Sequence, residues 1–233
     1  MTGKIKLVHS GGNSVSLAVP TSNPSSSEVA FKLPQADGSA NQVLKTDGSG
    51  NLAFATVADT NDFVKLQAAT GTSAVSALLF QNLDVTTYRT FKFVFSLQTV
   101  NDGVELNLRV LDGSTFKTNA GTYNWGIVGI LNNGSVHDSA GADSYARIVD
   151  SFGNNNYEGA RGELTFVPHV SGDPAYMNNF GFCIANRYNT SNAHRGDHSF
   201  FKFHQADTID GFQIYASSGN IAAYSYTLYG LKR

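Results

Sequence analysis

The chain has 233 residues, a net charge of −2 and only 15% charged residues, against roughly 25% in an average domain. That balance excludes a basic field for nucleic acid or anionic lipid, and no apolar run reaches membrane-spanning length. The lone Cys183, inside the apolar run 180–185, excludes an internal disulfide and reads as an inert core residue.

The chain begins Met1-Thr2-Gly3-Lys4 without an apolar signal region, so the expectation is synthesis in a cytoplasm and a product that stays soluble or joins an assembly. Gly is abundant at 23 residues, and aromatics make up 12%. Ser, Thr and Asn fill the gaps between apolar runs, the profile of many short strands joined by turns.

Residues 1–60 read as short strands: Lys4–His9, Ser14–Val19, Glu28–Leu33, and Gln42–Asp47 leading into Leu52–Val57. Asp47-Gly48-Ser49-Gly50-Asn51 is a hairpin turn signal. Large apolar side chains are sparse here, and a segment of this size and composition is expected to need a partner. A polar stretch, Ala58–Asp62, marks a domain boundary, giving an assembly module at 1–60 and a second domain at 61–233.

The string from Gly3 to Val57 resembles an N-terminal module of tail-fibre and other virion-surface proteins of tailed bacteriophages. The resemblance rests on Ser14–Val19, on Phe31-Lys32-Leu33-Pro34, and most specifically on Gln42 through Leu52. It implies a role in attachment or shaft building.

In the second domain, Phe91, Phe93, Phe95 and Leu97 alternate with polar or smaller residues, and so do Val104, Leu106, Leu108 and Val110. Period-two alternation puts each apolar row on one strand face. With Asn101-Asp102-Gly103 between them, the two runs predict an antiparallel hairpin. Further strands are expected at Phe63–Ala68, Ser73–Leu83, Trp125–Leu131, Tyr145–Val149, Gly162–Pro168, Asn179–Ala185 and Ser199–His204. A closing pair, Phe212–Ala216 and Ile221–Leu231, is joined by Ser217-Ser218-Gly219-Asn220. Asn132–Asp143, Asp150–Gly162 and Asn192–Asp197 read as polar loops. The predicted fold class is all-β, a short-strand N-terminal module followed by an antiparallel, jelly-roll-like β-sandwich. Tyr88–Phe95 followed by Val104–Leu111, and the ending from Ile209 to Lys232, resemble the C-terminal domain of fibre-type proteins of marine tailed phages, cyanophage-like in kind.

Motifs for chemistry are scarce. No nucleophile elbow, P-loop or zinc-protease helix is present. His194, His198 and His204 lie close in sequence, but a metal site needs imidazoles converging within about 2.1 Å of one ion. The first two have helical spacing in a stretch that reads as a loop, so no metal ligand is assigned and the question of an ion stays open. Asp138, Asp143, Asp150, Glu158 and Asp173 lie in the expected loops, and nothing local marks a glycosidase pair among them. No catalytic residue and no cofactor are expected.

Aromatic rings in polar stretches are the better lead. Tyr123, Trp125, Tyr157, Tyr176 and Tyr188 stand in or beside Asn-, Gly- and Ser-rich segments. Flat rings stack on sugars while amides and carboxylates bond hydroxyls, and the same surfaces suit protein partners. For Trp125 a core position is the stronger reading, because Ile127-Val128 follow it. Arg195 and Asp197, which flank Gly196 in an adhesion-like tripeptide that chance readily supplies, join the candidate surface residues.

The expectation is a non-enzymatic structural protein of the virion tail, assembled in the bacterial cytoplasm. The resemblance implies a homotrimer whose residues 1–60 dock to other tail proteins and whose loops meet a host-surface glycan or protein. A capsid or tail decoration protein without a receptor role is one alternative, and a polysaccharide depolymerase is another.

Overall fold

The computed structural model describes residues 4–18, 20–22, 24, 28–57, 62–155, 158–170, 179–188, 193–205 and 207–232. The chain divides into two compact units, Met1–Thr60 and Asn61–Arg233. No helix forms among the described residues, and every paired strand is antiparallel.

The first unit contains two separate hairpins. β1 (Lys4–Val8) pairs β2 (Ser14–Ala18), and β3 (Gln42–Thr46) pairs β4 (Leu52–Thr56). The second hairpin turns where the sequence predicts it. Asp47 Oδ1 accepts from the Ser49 and Asn51 amides at 2.7 and 3.1 Å, and Gly48 and Gly50 take φ of 83° and 86°. The expected strand Glu28–Leu33 does not form. Only Lys32 pairs, through a parallel bridge to Asn51, its amide donating to the Gly50 carbonyl and its carbonyl accepting from Leu52. Ile5, Leu7, Val15, Leu17, Phe31 and Leu33 are all exposed, so these hairpins enclose no core. Two-stranded hairpins are marginal in water, and burial of apolar rows against something else is what stabilises them.

The second unit is a β-sandwich. Its strands are β5 (Phe63–Gly71), β6 (Leu78–Phe80), β7 (Tyr88–Thr99), β8 (Val104–Asp112), β9 (Thr115–Phe116), β10 (Tyr123–Leu131) and β11 (Val136–Asp143). Then come β12 (Ala146–Phe152), β13 (Gly159–Val167), β14 (Asn179–Tyr188), β15 (His194–Phe203), β16 (Gly211–Ala216) and β17 (Ile221–Lys232). The larger sheet has the order β11-β10-β15-β14-β13-β7-β17-β5, and the smaller β12-β8-β16-β6 with β9 beside β8. Their inner faces share one aromatic core. The Phe93 ring of β7 lies 5.3 Å from Phe80 of β6 and 6.2 Å from Phe212 of β16, in edge-to-face contacts.

The predicted hairpin between β7 and β8 is corrected. β7 pairs β13 and β17, while β8 pairs β12 and β16, so the turn at 100–103 carries the chain across the core from one sheet to the other. The closing pair β16 and β17 crosses in the same way. Both partners of each pair carry an apolar row, and rows facing one another across a core satisfy the same alternation as rows side by side on one face. The two crossings interlock: Asn101 Nδ2 donates to Ser218 Oγ at 2.9 Å, and the Val100 amide donates to the Asn220 carbonyl at 2.8 Å. A Cβ on Gly219, whose φ is 72°, would lie 2.8 Å from the Asn101 side chain, so glycine is required there.

The expected polar loops are shorter than predicted. Residues 136–143 form β11, which makes a hairpin with β10 through the turn Asn132–Ser135. β12 extends to Phe152, β13 begins at Gly159, and β15 begins at His194. Backbone pairing with a neighbouring strand overrides polar composition in these segments. Of Ser73–Leu83, only Leu78–Phe80 is strand, with Val75 bridging Ile221.

Candidate functional site

Strand register on the outer face of the larger sheet sorts its side chains into rows. One row runs Thr70 (β5), Ser225 (β17), Ser96 (β7), Arg161 (β13) and Asn186 (β14), each directly paired with the next. It lines an open groove of about 640 Å³ with Tyr188 beside it; Tyr224 also touches the groove but belongs to the core-facing row of β17, its ring 6.0 Å from that of Tyr226. Thr70 Oγ1 donates to Ser225 Oγ at 3.2 Å. Arg161 is exposed and forms no ion pair among the described residues. The Tyr188 ring sits 5.3 Å from that of His194 and is 41% exposed. The Tyr224 ring lies over Gly71, where a Cβ would fall 2.5 Å from its Cζ, so a side chain at 71 would displace the ring.

The floor is set by Gln98 and Glu158. Gln98 Nε2 donates to the carbonyls of Asn154 and Asn155 at 2.9 and 3.1 Å, which ties β7 to the segment before β13. Glu158 is buried, and its Oε2 accepts from the Asn155 amide at 2.7 Å. Its Oε1 is buried and has no hydrogen-bond partner among the described residues. Hydroxyls, an amide, a guanidinium and the Tyr188 ring can hydrogen-bond and stack on a polyhydroxylated ligand.

Two of the residues chosen from sequence, Tyr123 and Asp197, are corrected, and Trp125 takes the core position that its sequence context favoured. Tyr123 is fully buried, packs on Phe203 at 4.9 Å, accepts from the Val110 amide and donates to the Lys117 carbonyl. Burial of the phenol pushes its pKa well up. Trp125 is buried too, its Nε1 donating to Asp143 Oδ2 at 2.9 Å beneath the Arg147 guanidinium. Asp197 faces the core and pairs with Arg187. All three lie at inward positions of strands, where alternation takes them away from solvent. Arg195 is half-buried on β15. Tyr157 and Tyr176 lie outside the described residues. Among the described candidates, Tyr188 alone borders the groove.

His194 and His198 share the outer face of β15 but are four residues apart on an extended strand, about 13 Å at 3.3 Å per residue. Among the described residues no group of three or more His, Cys, Asp or Glu side chains could hold a metal ion.

The sequence reading missed Arg161, Asn186, Ser96, Thr70 and Ser225. Their signal is polarity at outward strand positions, which is common and unspecific. Only the strand order joins five distant segments into one row. No protein-family model, no curated protein and no solved structure matches the chain.

Proposed function

We propose that the chain is a structural protein of a tailed-phage virion, a tail fibre whose sandwich binds a host-surface glycan in the groove lined by Ser96, Arg161, Asn186 and Tyr188. The groove carries this reading, since its donors, acceptors and aromatic ring match what a sugar chain presents. The phage context rests on the resemblance of residues 3–57 and of the strands ending the chain. Exposed apolar rows on β1 to β4 support an assembly role, because they need burial against another chain. In this reading the fibre is a homotrimer docked to other tail proteins through residues 1–60, located in the virion tail and assembled in the host cytoplasm. It acts by non-covalent display. Glu158 is the one carboxylate lining the described groove, whereas glycoside hydrolysis ordinarily uses two.

The test is binding of full-length protein to a panel of purified bacterial surface polysaccharides, beside a variant carrying Arg161→Ala and Tyr188→Ala. At least one polysaccharide should bind, and the variant should bind it roughly tenfold more weakly, the equivalent of about 1.4 kcal/mol. Equal binding by both proteins would remove the groove from the reading. Release of reducing sugar would favour the depolymerase. Immunogold labelling confined to heads would favour a decoration protein.

A further inference from the structure

The outer face of the larger sheet changes character beyond β13. Where the groove side is polar, the last four strands carry apolar side chains outward: Phe180, Phe182 and Ile184 on β14, Phe200 on β15, Val128 and Ile130 on β10, with Val136 on β11. Register makes them contiguous. Phe182 pairs Phe200, which pairs Gly126; Ile184 pairs His198, which pairs Val128; and Ile130 pairs Val136. The tip of the Phe200 ring lies over Gly126, whose Cβ would fall 2.6 Å from Cζ. This closes the gap in the row and smooths the surface.

Phe200 is 60% exposed, Ile130 61% and Val136 69%. Summed over the patch, the exposed apolar area is on the order of 650 Å². The largest patch on an ordinary monomer is about 300–600 Å², and a stable interface needs about 800 Å² per partner. The patch with its polar rim reaches that size.

We propose that this face is the contact between copies of the chain, so that the sandwich, and not only residues 1–60, holds the assembly together. Charge favours a second copy. The register places Asp138 at one corner of the patch and Lys202 at the opposite corner, and the nearest flanking pair, Lys92 and Glu163, neutralise one another at 2.7 Å. A face with balanced charge does not repel itself, whereas a strongly charged foreign partner calls for a one-signed rim. The patch also runs out to β11, the end strand of its sheet, whose outer backbone groups are unpaired. A copy packed there covers an edge that otherwise invites uncontrolled pairing. The groove lies on the other half of the same face and stays open when the apolar half is covered.

The experiment uses the full chain with Phe200 replaced by photoreactive p-benzoylphenylalanine, together with sedimentation of the wild type and of Phe182→Asp/Phe200→Asp. The wild type should sediment at twice the single-chain mass or more. Irradiation should link position 200 to β10, β14 or β15 of another copy, and the Asp variant should sediment at a lower mass than the wild type while unfolding at an unchanged temperature. A monomeric wild type overturns the proposal. So does an oligomer in which position 200 links to nothing, or links only to residues 1–57 of its own chain. None of these outcomes depends on glycan binding.

Discussion

Arg187 Nε donates to Asp197 Oδ2 at 2.5 Å, both residues being fully enclosed between the sheets. The guanidinium also reaches Asp150 Oδ2 of β12 at 3.0 Å and the Ser151 carbonyl. Nearby, Ser199 Oγ donates to the Ile148 carbonyl at 2.7 Å. β14 and β15 of the larger sheet are thereby tied to β12 of the smaller through charge-assisted hydrogen bonds.

Removing the base from this cluster leaves the buried Asp197 without its cation and Asp150 with Arg147 at 3.4 Å, and breaking a buried pair in this way typically costs about 3–5 kcal/mol. Arg187→Ala should therefore lower the unfolding temperature by about 10 °C or more for a domain of this size. Arg187→Lys should not restore it, because an ammonium cannot reproduce the forked geometry. Thermal unfolding by circular dichroism decides this, and an unchanged midpoint for Arg187→Ala would show that the cluster does not stabilise the sandwich.

Two phenols are held in the protonated form. Burial pushes Tyr215 up to about 12, against the lesser opposing pull of the Arg109 guanidinium 4.9 Å above its ring. Burial also raises Tyr123. In the unfolded chain both ionise near their ordinary value of 10.0. The unfolded state thus loses protons first, and stability is undiminished below that value and falls as pH rises from there towards 12. Denaturant midpoints should be level from neutrality to about pH 9.5 and decline above it. Tyr123→Phe should show a smaller decline; an equal decline would mean that other groups govern the alkaline limb.

Cys183 is fully buried on β14, and desolvation raises its thiol pKa far above the ordinary range. The nucleophile is the thiolate, so a neutral aromatic disulfide reagent should react with no thiol in the native protein and with one per chain in denaturant. Rapid native reaction would mean that β14 opens.

Among the described residues, every buried apolar side chain lies between Leu78 and Leu228. A fragment of residues 62–233 should therefore unfold cooperatively at nearly the temperature of the full chain, whereas a fragment of residues 1–57 should show no cooperative transition as a monomer. A protease-sensitive, molten 62–233 would mean that the first unit completes the core.

What the sequence by itself determined is local. Alternation at Phe91–Leu97 and Val104–Val110 specified two strands with one buried face each, and Asp47–Asn51 specified a hairpin turn, because side-chain direction and turn chemistry depend on neighbouring residues alone. The same was true of Cys183, whose apolar neighbours placed it in the core. Tertiary structure decided which strands pair. β7 and β8 carry the same alternation whether they lie side by side or face each other, and the core, by demanding an aromatic row from each sheet, separates them. It likewise turned Tyr123 and Asp197 inward. Finally, strand order assembled Thr70, Ser225, Ser96, Arg161 and Asn186 into one groove, since residues up to 155 positions apart become neighbours only when the sheet closes its hydrogen bonds.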